Sequence, residues 1–195
     1  MKRVLLTAAA SVAALLSLSA AASAQTFDQP TFNGSVGYSQ AQIDQVVDED
    51  FEEADVDFGA VTGRLGARFH PNLGAEAELN IGVSDEEYDF GGGDRAQVGL
   101  NYTASVFGMA IAPLSPNFEI FARAGIGYGE LEAETSGPGI GNFSETSDGG
   151  FVALGAGAQY YFDGRNGLRV DYTRYDGEDD GIELDTVSAS YTRRF

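Results

Sequence analysis

Apolar and small or polar residues alternate along most of the chain between Phe32 and Phe195. A period of two predicts β-strands, because successive side chains of a strand point to opposite faces. Most of the alternating segments span 11 to 13 residues, which is long for a soluble strand and long enough for a tilted strand to cross a bilayer. The pattern predicts eight strands, near residues 32–42, 58–69, 73–83, 96–110, 118–129, 150–162, 168–175 and 185–195.

The predicted connections alternate between short and long. The short turns lie at 70–72, 113–117 and 163–167, and the long stretches at 43–57, 84–95, 130–149 and 176–184. Short turns on one rim and long loops on the other are typical of bacterial outer-membrane barrels, with the turns and both termini in the periplasm. We therefore predict an all-β fold, an eight-stranded antiparallel transmembrane up-and-down β-barrel.

The first residues have the pattern of an export signal. Lys2 and Arg3 precede a mostly apolar run over 4–18, and small residues follow as far as Ala24. This order predicts a cleaved secretory signal peptide over 1–24, and the run is too short for a membrane helix. The barrel domain is then predicted over 25–195, exported to the bacterial outer membrane.

Charged residues recur on the strand face that is otherwise polar. An eight-stranded barrel is just wide enough for side chains to fill its interior, and buried charges are tolerated only when they are partnered. We therefore expect an ion-paired network that blocks permeation; the alternative is a narrow ion or solute path lined by the same residues. The predicted lumen residues are Arg64, Arg68, Glu76, Glu78, Glu119, Arg123, Arg169 and Asp171, with Arg194 as a further member.

Charge is distributed very unevenly along the chain. Residues 25–195 hold 9 of the 11 basic residues and all 30 acidic ones, and the four long stretches hold 23 of these acids against Arg95 alone. Such a balance argues against nucleic acid as a partner, because binding nucleic acid requires a basic surface. The absence of cysteine leaves stability to burial and backbone hydrogen bonding.

The acidic stretches suggest one binding hypothesis. Clustered carboxylates repel one another, and hard divalent cations such as Ca²⁺ or Mg²⁺ would relieve that repulsion. Cations held there would bridge the loops to the phosphates of lipopolysaccharide; the alternative is a set of solvated loops with no ligand. The candidate cation ligands are Asp48, Glu49, Asp50, Asp176, Glu178 and Asp180.

Signals for catalysis or for a cofactor are weak. The single histidine, His70, precedes Pro71 in a predicted turn at the end away from the long loops, whereas acyl transfer and hydrolysis at a barrel rim call for a base beside the substrate. The alternating glycines from Gly125 to Gly129 have no helix after them, so they do not form a phosphate-binding loop. We predict no enzyme and no tightly bound cofactor.

These features together resemble the small outer-membrane β-barrel family typified by the OmpA transmembrane domain and by opacity-type surface proteins. The likeness rests on the export signal, the eight alternating segments, the arm from Phe118 to Tyr128 and the last strand. In that family a final strand ending in Phe is read by the barrel-assembly machinery. Arg193 departs from the pattern, since an apolar residue is usual there; the residues that match are Val187, Ala189, Tyr191 and Phe195.

The resemblance implies a surface-exposed structural or adhesive protein, and we expect it to be a monomer. Its expected partners are outer-membrane lipid, lipopolysaccharide and the barrel-assembly machinery. Two alternatives stay open: a narrow pore or OmpW-like transporter of small solutes, and a soluble exported lipocalin-like binder. A lipocalin points its apolar side chains inward, whereas here the polar set recurs with balanced charge on one face.

Overall fold

A computed structural model of the chain describes residues 30–43, 56–84, 86–91, 94–137, 143–177 and 183–195. The predicted signal peptide over 1–24 lies outside these residues. In the described part, no helix is long and apolar enough to cross a membrane. The strands are β1 (Thr31–Ile43), β2 (Val56–His70), β3 (Leu73–Ser84), β4 (Glu86–Gly91), β5 (Asp94–Pro113), β6 (Phe118–Ser136), β7 (Phe143–Tyr161), β8 (Asn166–Gly177) and β9 (Glu183–Arg194).

Eight of these strands close into an antiparallel barrel. The barrel contains every strand except β4: consecutive barrel strands pair with each other, so that β3 pairs with β5, and β9 pairs with β1 to close the sheet. Closure satisfies the backbone hydrogen bonds of every strand and leaves no open sheet edge in the barrel wall. The predicted fold class, an eight-stranded up-and-down barrel, is confirmed.

The hairpins extend further than the sequence pattern predicted. β4 and the first residues of β5 lie in the stretch 84–95 that was predicted as a loop, and β6 and β7 remain paired from Glu130 and Asp148 to Thr135 and Phe143. Water surrounds both faces of a hairpin beyond the barrel wall, so pairing continues there without an apolar alternation to mark it. β4 pairs with β5 beyond the β3–β5 ladder, and its register is offset by one residue, as at a β-bulge.

The end of the barrel with the short connections is named the turn end, and the opposite end the loop end. The turn between β2 and β3 is held to β5, because Asn72 donates its side-chain amide to the Ile111 carbonyl at 2.9 Å and accepts the Ile111 N–H at its own carbonyl, also at 2.9 Å. In the turn between β7 and β8, the Asp163 carboxylate accepts the backbone N–H groups of Arg165 and Asn166. These bonds fix the register of the strands that carry the lumen residues.

Inward and outward side chains alternate as predicted. Along β3 the odd-numbered residues from Leu73 are exposed and the even-numbered ones from Gly74 to Asn80 are buried. Aromatic rings lie on the outer face near both ends of the barrel, where amphipathic rings are typical of a membrane interface. They are Phe69, Phe118, Phe162 and Phe195 at the turn end, and Tyr38, Tyr128 and Tyr172 at the loop end.

Glycines on β6 and β7 make room for aromatic rings inside the barrel. A methyl group added at Gly127 would lie 2.4 Å from the ring of Phe151, and one at Gly125 would lie 2.6 Å from the ring of Phe107. On β7, a methyl group added at Gly157 would lie 2.6 Å from the ring of Phe121. The alternating glycines therefore accommodate packing in the lumen, because a side chain there would overlap the ring of a neighbouring strand.

We expect Gly127→Ala to lower the free energy of unfolding by about 1–3 kcal/mol, because the added methyl group overpacks the lumen against Phe151. Urea unfolding of the refolded protein in detergent micelles, followed by circular dichroism, measures this change. Gly63→Ala is the matched control, since a methyl group at Gly63 meets no atom within 4 Å. Equal stability of the two variants would contradict this account of the glycines.

Candidate functional site

Six charged side chains meet in the middle of the barrel lumen, each at most 4% exposed. Three are bases and three are acids, so the group is formally neutral. It is named here the central charge network and consists of Arg64, Glu76, Glu78, Arg123, Arg169 and Asp171. Burial of so many charges is tolerable only because each has partners of opposite sign.

Arg123 is the hub of the central charge network. Its Nη1 lies 2.5 Å from Glu78 Oε2 and 3.1 Å from Glu76 Oε1, and its Nη2 lies 3.0 Å from Asp171 Oδ2. It also donates to the hydroxyl of Thr173. One guanidinium on β6 therefore links β3 to β8 across the lumen, and the planar fork of arginine suits this task because it presents five donors in fixed directions.

Arg64 and Arg169 complete the network from β2 and β8. The Nε of Arg64 lies 2.5 Å from Glu78 Oε2 and its Nη2 lies 3.1 Å from Asp171 Oδ2. Arg169 donates from both Nη atoms to Glu76, at 2.5 and 3.0 Å, and from Nε to Asp171 at 2.8 Å. Charge-assisted bonds of this kind are stronger than neutral ones. The network therefore provides strong contacts among β2, β3, β6 and β8, which are not all neighbours in the sheet.

Aromatic rings flank the charges inside the lumen. The guanidinium of Arg123 lies 4.3 Å from the ring centroid of Phe107, and that of Arg169 lies 4.2 Å from the centroid of Phe121. The hydroxyl of Tyr175 donates to Glu78 Oε1 at 2.7 Å. A cation that is removed from water is stabilised electrostatically by the negative face of an aromatic ring. The rings also occupy volume that water would otherwise fill.

Polar groups and an apolar cluster also fill the lumen beside the central charge network. The hydroxyl of Thr62 donates to Asn80 at 2.6 Å, and Asn80 donates to Thr103 at 2.8 Å. Phe107, Ala153 and Tyr175 form a buried apolar cluster, against which Phe151 and Leu184 pack. Uncharged side chains therefore occupy part of the lumen together with the charged ones.

A second charged group lies at the turn end. Glu119 accepts from Arg68 at 2.7 Å and from Arg194, and the Arg194 guanidinium lies 4.0 Å from the ring centroid of Tyr161. Arg68, Tyr161 and Arg194, together with Arg169, line a cavity of about 20 Å³. That volume holds about one water molecule. The cavity at the turn end therefore has little free volume.

All eight predicted lumen residues, and Arg194, point into the barrel. Six of them form the central charge network, while Arg68 and Glu119 meet Arg194 at the turn end. The sequence reasoning missed the apolar side chains among them, although they continue the same alternation past Ser105 on β5. The missed lumen residues include Phe107, Met109, Ile111, Phe121, Tyr161 and Tyr175.

Most of the predicted cation ligands fall outside the described residues: Asp48, Glu49, Asp50, Glu178 and Asp180. Asp176 lies near the end of β8, opposite Glu183. Among the described residues, no group of three or more His, Cys, Asp and Glu side chains could hold a metal ion. The cation hypothesis therefore stays a prediction for the loops.

The residues of the predicted assembly signal lie on one face of β9. Val187, Ala189 and Tyr191 all point outward and are exposed. Phe195 follows the strand and donates its backbone N–H to the Phe32 carbonyl at 2.8 Å. The seam between the last and first strands of the barrel is therefore paired along its length. Recognition of these residues by the barrel-assembly machinery stays a prediction.

A family model described as an outer membrane protein beta-barrel domain matches residues 10–195. A comparison with curated protein sequences finds no match.

Solved structures of small barrels are similar to this one. Ail of Yersinia pestis, solved in complex with the heparin analogue sucrose octasulfate, has a TM-score of 0.61 at 16% identity, over 86% of this chain and 99% of Ail. Neisserial surface protein A has a TM-score of 0.63 at 9% identity, over 86% of this chain and 100% of its own. OprG of Pseudomonas aeruginosa has a TM-score of 0.54 at 9% identity, over 88% of this chain and 99% of its own. Identities this low support the likeness in fold alone.

We expect Arg123→Leu to destabilise the barrel by about 3–5 kcal/mol, because it leaves buried carboxylates without their shared cation. Arg174→Leu is the control, since Arg174 pairs with Glu183 and Asp185 at a partly exposed position, where an ion pair contributes about 0–1 kcal/mol. Guanidinium-induced unfolding in micelles, monitored by circular dichroism, compares the two. Equal midpoints for both variants would contradict the importance given to the central charge network.

Proposed function

The chain belongs to the outer membrane protein β-barrel domain family, and from this premise we propose that it has a structural and surface-interacting role in the bacterial outer membrane, with a lumen that does not conduct. The observation that carries the proposal is the central charge network, which spans the lumen with side chains that are at most 4% exposed. Ions need a hydrated path, and the network, its flanking rings and the adjoining apolar cluster occupy that path.

The surface role is inferred from the loop end. In barrels of this class the long loops face the exterior and the short turns face the periplasm. The four long stretches predicted from the sequence hold 23 acidic residues and one base. A surface of this charge attracts cations, basic peptides and cation-bridged anions, and it repels free polyanions.

The charge of the loops argues against a ligand of the kind that is bound to Ail. Ail is solved with a heparin analogue, sucrose octasulfate, which is a polyanion. Direct binding of such a ligand to the acidic loops of this chain would bring like charges together. Contact with the phosphates of lipopolysaccharide would instead go through Ca²⁺ or Mg²⁺, which prefer oxygen ligands. Partners of this chain are therefore outer-membrane lipid and lipopolysaccharide, with the assembly machinery as a partner during insertion.

In planar bilayers we expect the refolded mature chain to give no stable conductance steps, because the lumen is filled by paired charges and rings. A general diffusion porin in the same membrane is the control that insertion and recording work. A liposome swelling assay extends the test to uncharged solutes. Reproducible conductance steps would overturn the plugged lumen and favour the narrow pore or transporter.

Calorimetric titration with Ca²⁺ should give saturable heat in the sub-millimolar to millimolar range, where extracellular Ca²⁺ modules bind. The variant with Asp48→Asn, Glu49→Gln and Asp50→Asn should lose part of that heat, because it removes three neighbouring carboxylates. Asp163→Asn, which alters a turn at the other end of the barrel, is the control and should bind as the unmodified protein does. No heat at millimolar Ca²⁺ would end the cation hypothesis.

A further inference from the structure

The arginines of the described chain differ in whether they have acidic partners. Six of them form ion pairs with carboxylates: Arg64, Arg68, Arg123, Arg169, Arg174 and Arg194. Among the described residues, no carboxylate side chain lies within 4 Å of the guanidinium of Arg165 or Arg193. Both are exposed at the turn end of the barrel.

Arg165 and Arg193 are also close to each other along the backbone. Arg194 donates its N–H to the Arg165 carbonyl at 2.8 Å, and Arg193 lies opposite Asn166 across β8 and β9. Asp163 is the acid nearest in sequence, but its carboxylate accepts the N–H groups of Arg165 and Asn166, and these bonds hold its pKa below its usual range. It is therefore engaged within the turn.

The strand register gives the depth of this pair in the membrane. Arg174 lies opposite Asp185, and Asn166 lies opposite Arg193, eight residues further along each strand. At about 3.3 Å per residue the two pairs are about 26 Å apart along the strands, or about 20 Å along the barrel axis at a tilt of about 40°. The outward residues between them are apolar or aromatic: Leu168, Val170, Tyr172, Val187, Ala189 and Tyr191.

Arg193 therefore lies at the edge of an apolar band whose height approaches that of the hydrocarbon layer, about 25 Å in such barrels. Its guanidinium lies 5.8 Å from the ring centroid of Phe195. Phe195 and Phe32 are exposed rings at the same end. A cation beside exposed rings at this depth has its stem in the acyl region and its charge at the level of the lipid phosphates.

We infer that Arg165 and Arg193 form a binding site for the headgroup phosphate of an anionic glycerophospholipid in the periplasmic leaflet. Two arginines without acidic partners supply charge and paired N–H donors, which match phosphate oxygens. The rings of Phe195 and Phe32 contact the glycerol and upper acyl region. The site explains why an arginine is tolerated at position 193 of the last strand, where an apolar residue is usual, because the lipid phosphate compensates its charge.

Native mass spectrometry tests this site on the refolded protein, released from micelles that contain equal amounts of phosphatidylglycerol and phosphatidylcholine. The unmodified protein should retain phosphatidylglycerol preferentially. Arg193→Gln and Arg165→Gln should each reduce the preference about fivefold, which corresponds to about 1 kcal/mol for each basic residue near a membrane surface. Arg174→Gln removes the same charge at the opposite rim and should leave the preference unchanged.

Two further measurements on the unmodified protein keep the test decisive if a variant does not refold. Added NaCl should reduce the preference for phosphatidylglycerol, because salt screens an exposed phosphate contact. Millimolar inorganic phosphate should not remove the bound lipid, because the free anion lacks the contacts of the acyl chains. Equal retention of both lipids, an equal loss in Arg174→Gln, or displacement by free phosphate would each overturn the lipid site.

Discussion

The guanidinium of Arg123 is held between three carboxylates at a buried position in the lumen, and the rest of the barrel interior is arranged around that contact. Removing ionised groups from water is costly, and the cost is offset only if opposite charges and hydrogen bonds replace the lost hydration. Glu76, Glu78 and Asp171 provide that replacement. Because their strands reach Arg123 from different sides of the barrel, the ion pairs also fix the cross-section of the closed sheet.

The limited volume of the lumen is the second constraint, and glycines leave the space that the aromatic rings need. A closed sheet of eight strands has a nearly fixed bore, while the charged groups need flanking rings to exclude water. Phe107, Phe121 and Phe151 fit only because Gly125, Gly157 and Gly127 on adjacent strands carry no side chain. Charge pairing and glycine placement are therefore coupled, since a bulkier residue at these glycines would displace a ring that shields the charges.

The sequence predicted the barrel and its charged lumen because both depend on strict alternation. An inward Arg64 or Glu78 is recognisable since its neighbours on either side belong to the opposite face. Alternation ends where the hairpins leave the barrel wall, so β4 and the outer parts of β6 and β7 were missed. The inward position of Phe107 could have been deduced from Ser105, but which carboxylate each arginine would bind depends on register and on distances across the lumen, which no local pattern encodes.

The two ends of the barrel differ in charge, and the lumen separates them. The predicted loops are strongly acidic, the central charge network is neutral, and the turn end carries Arg165 and Arg193 without described acidic partners. In the proposed function, cations that the loops attract are not drawn through the barrel, because the central charge network carries no net charge and side chains fill the lumen. Loop composition can then change without disturbing the scaffold, because the interactions that hold the barrel together lie in the lumen. The proposed surface role and the proposed lipid site are thus independent of each other. Each belongs to one end of the barrel, and the interactions that stabilise the barrel lie in the lumen between the two ends.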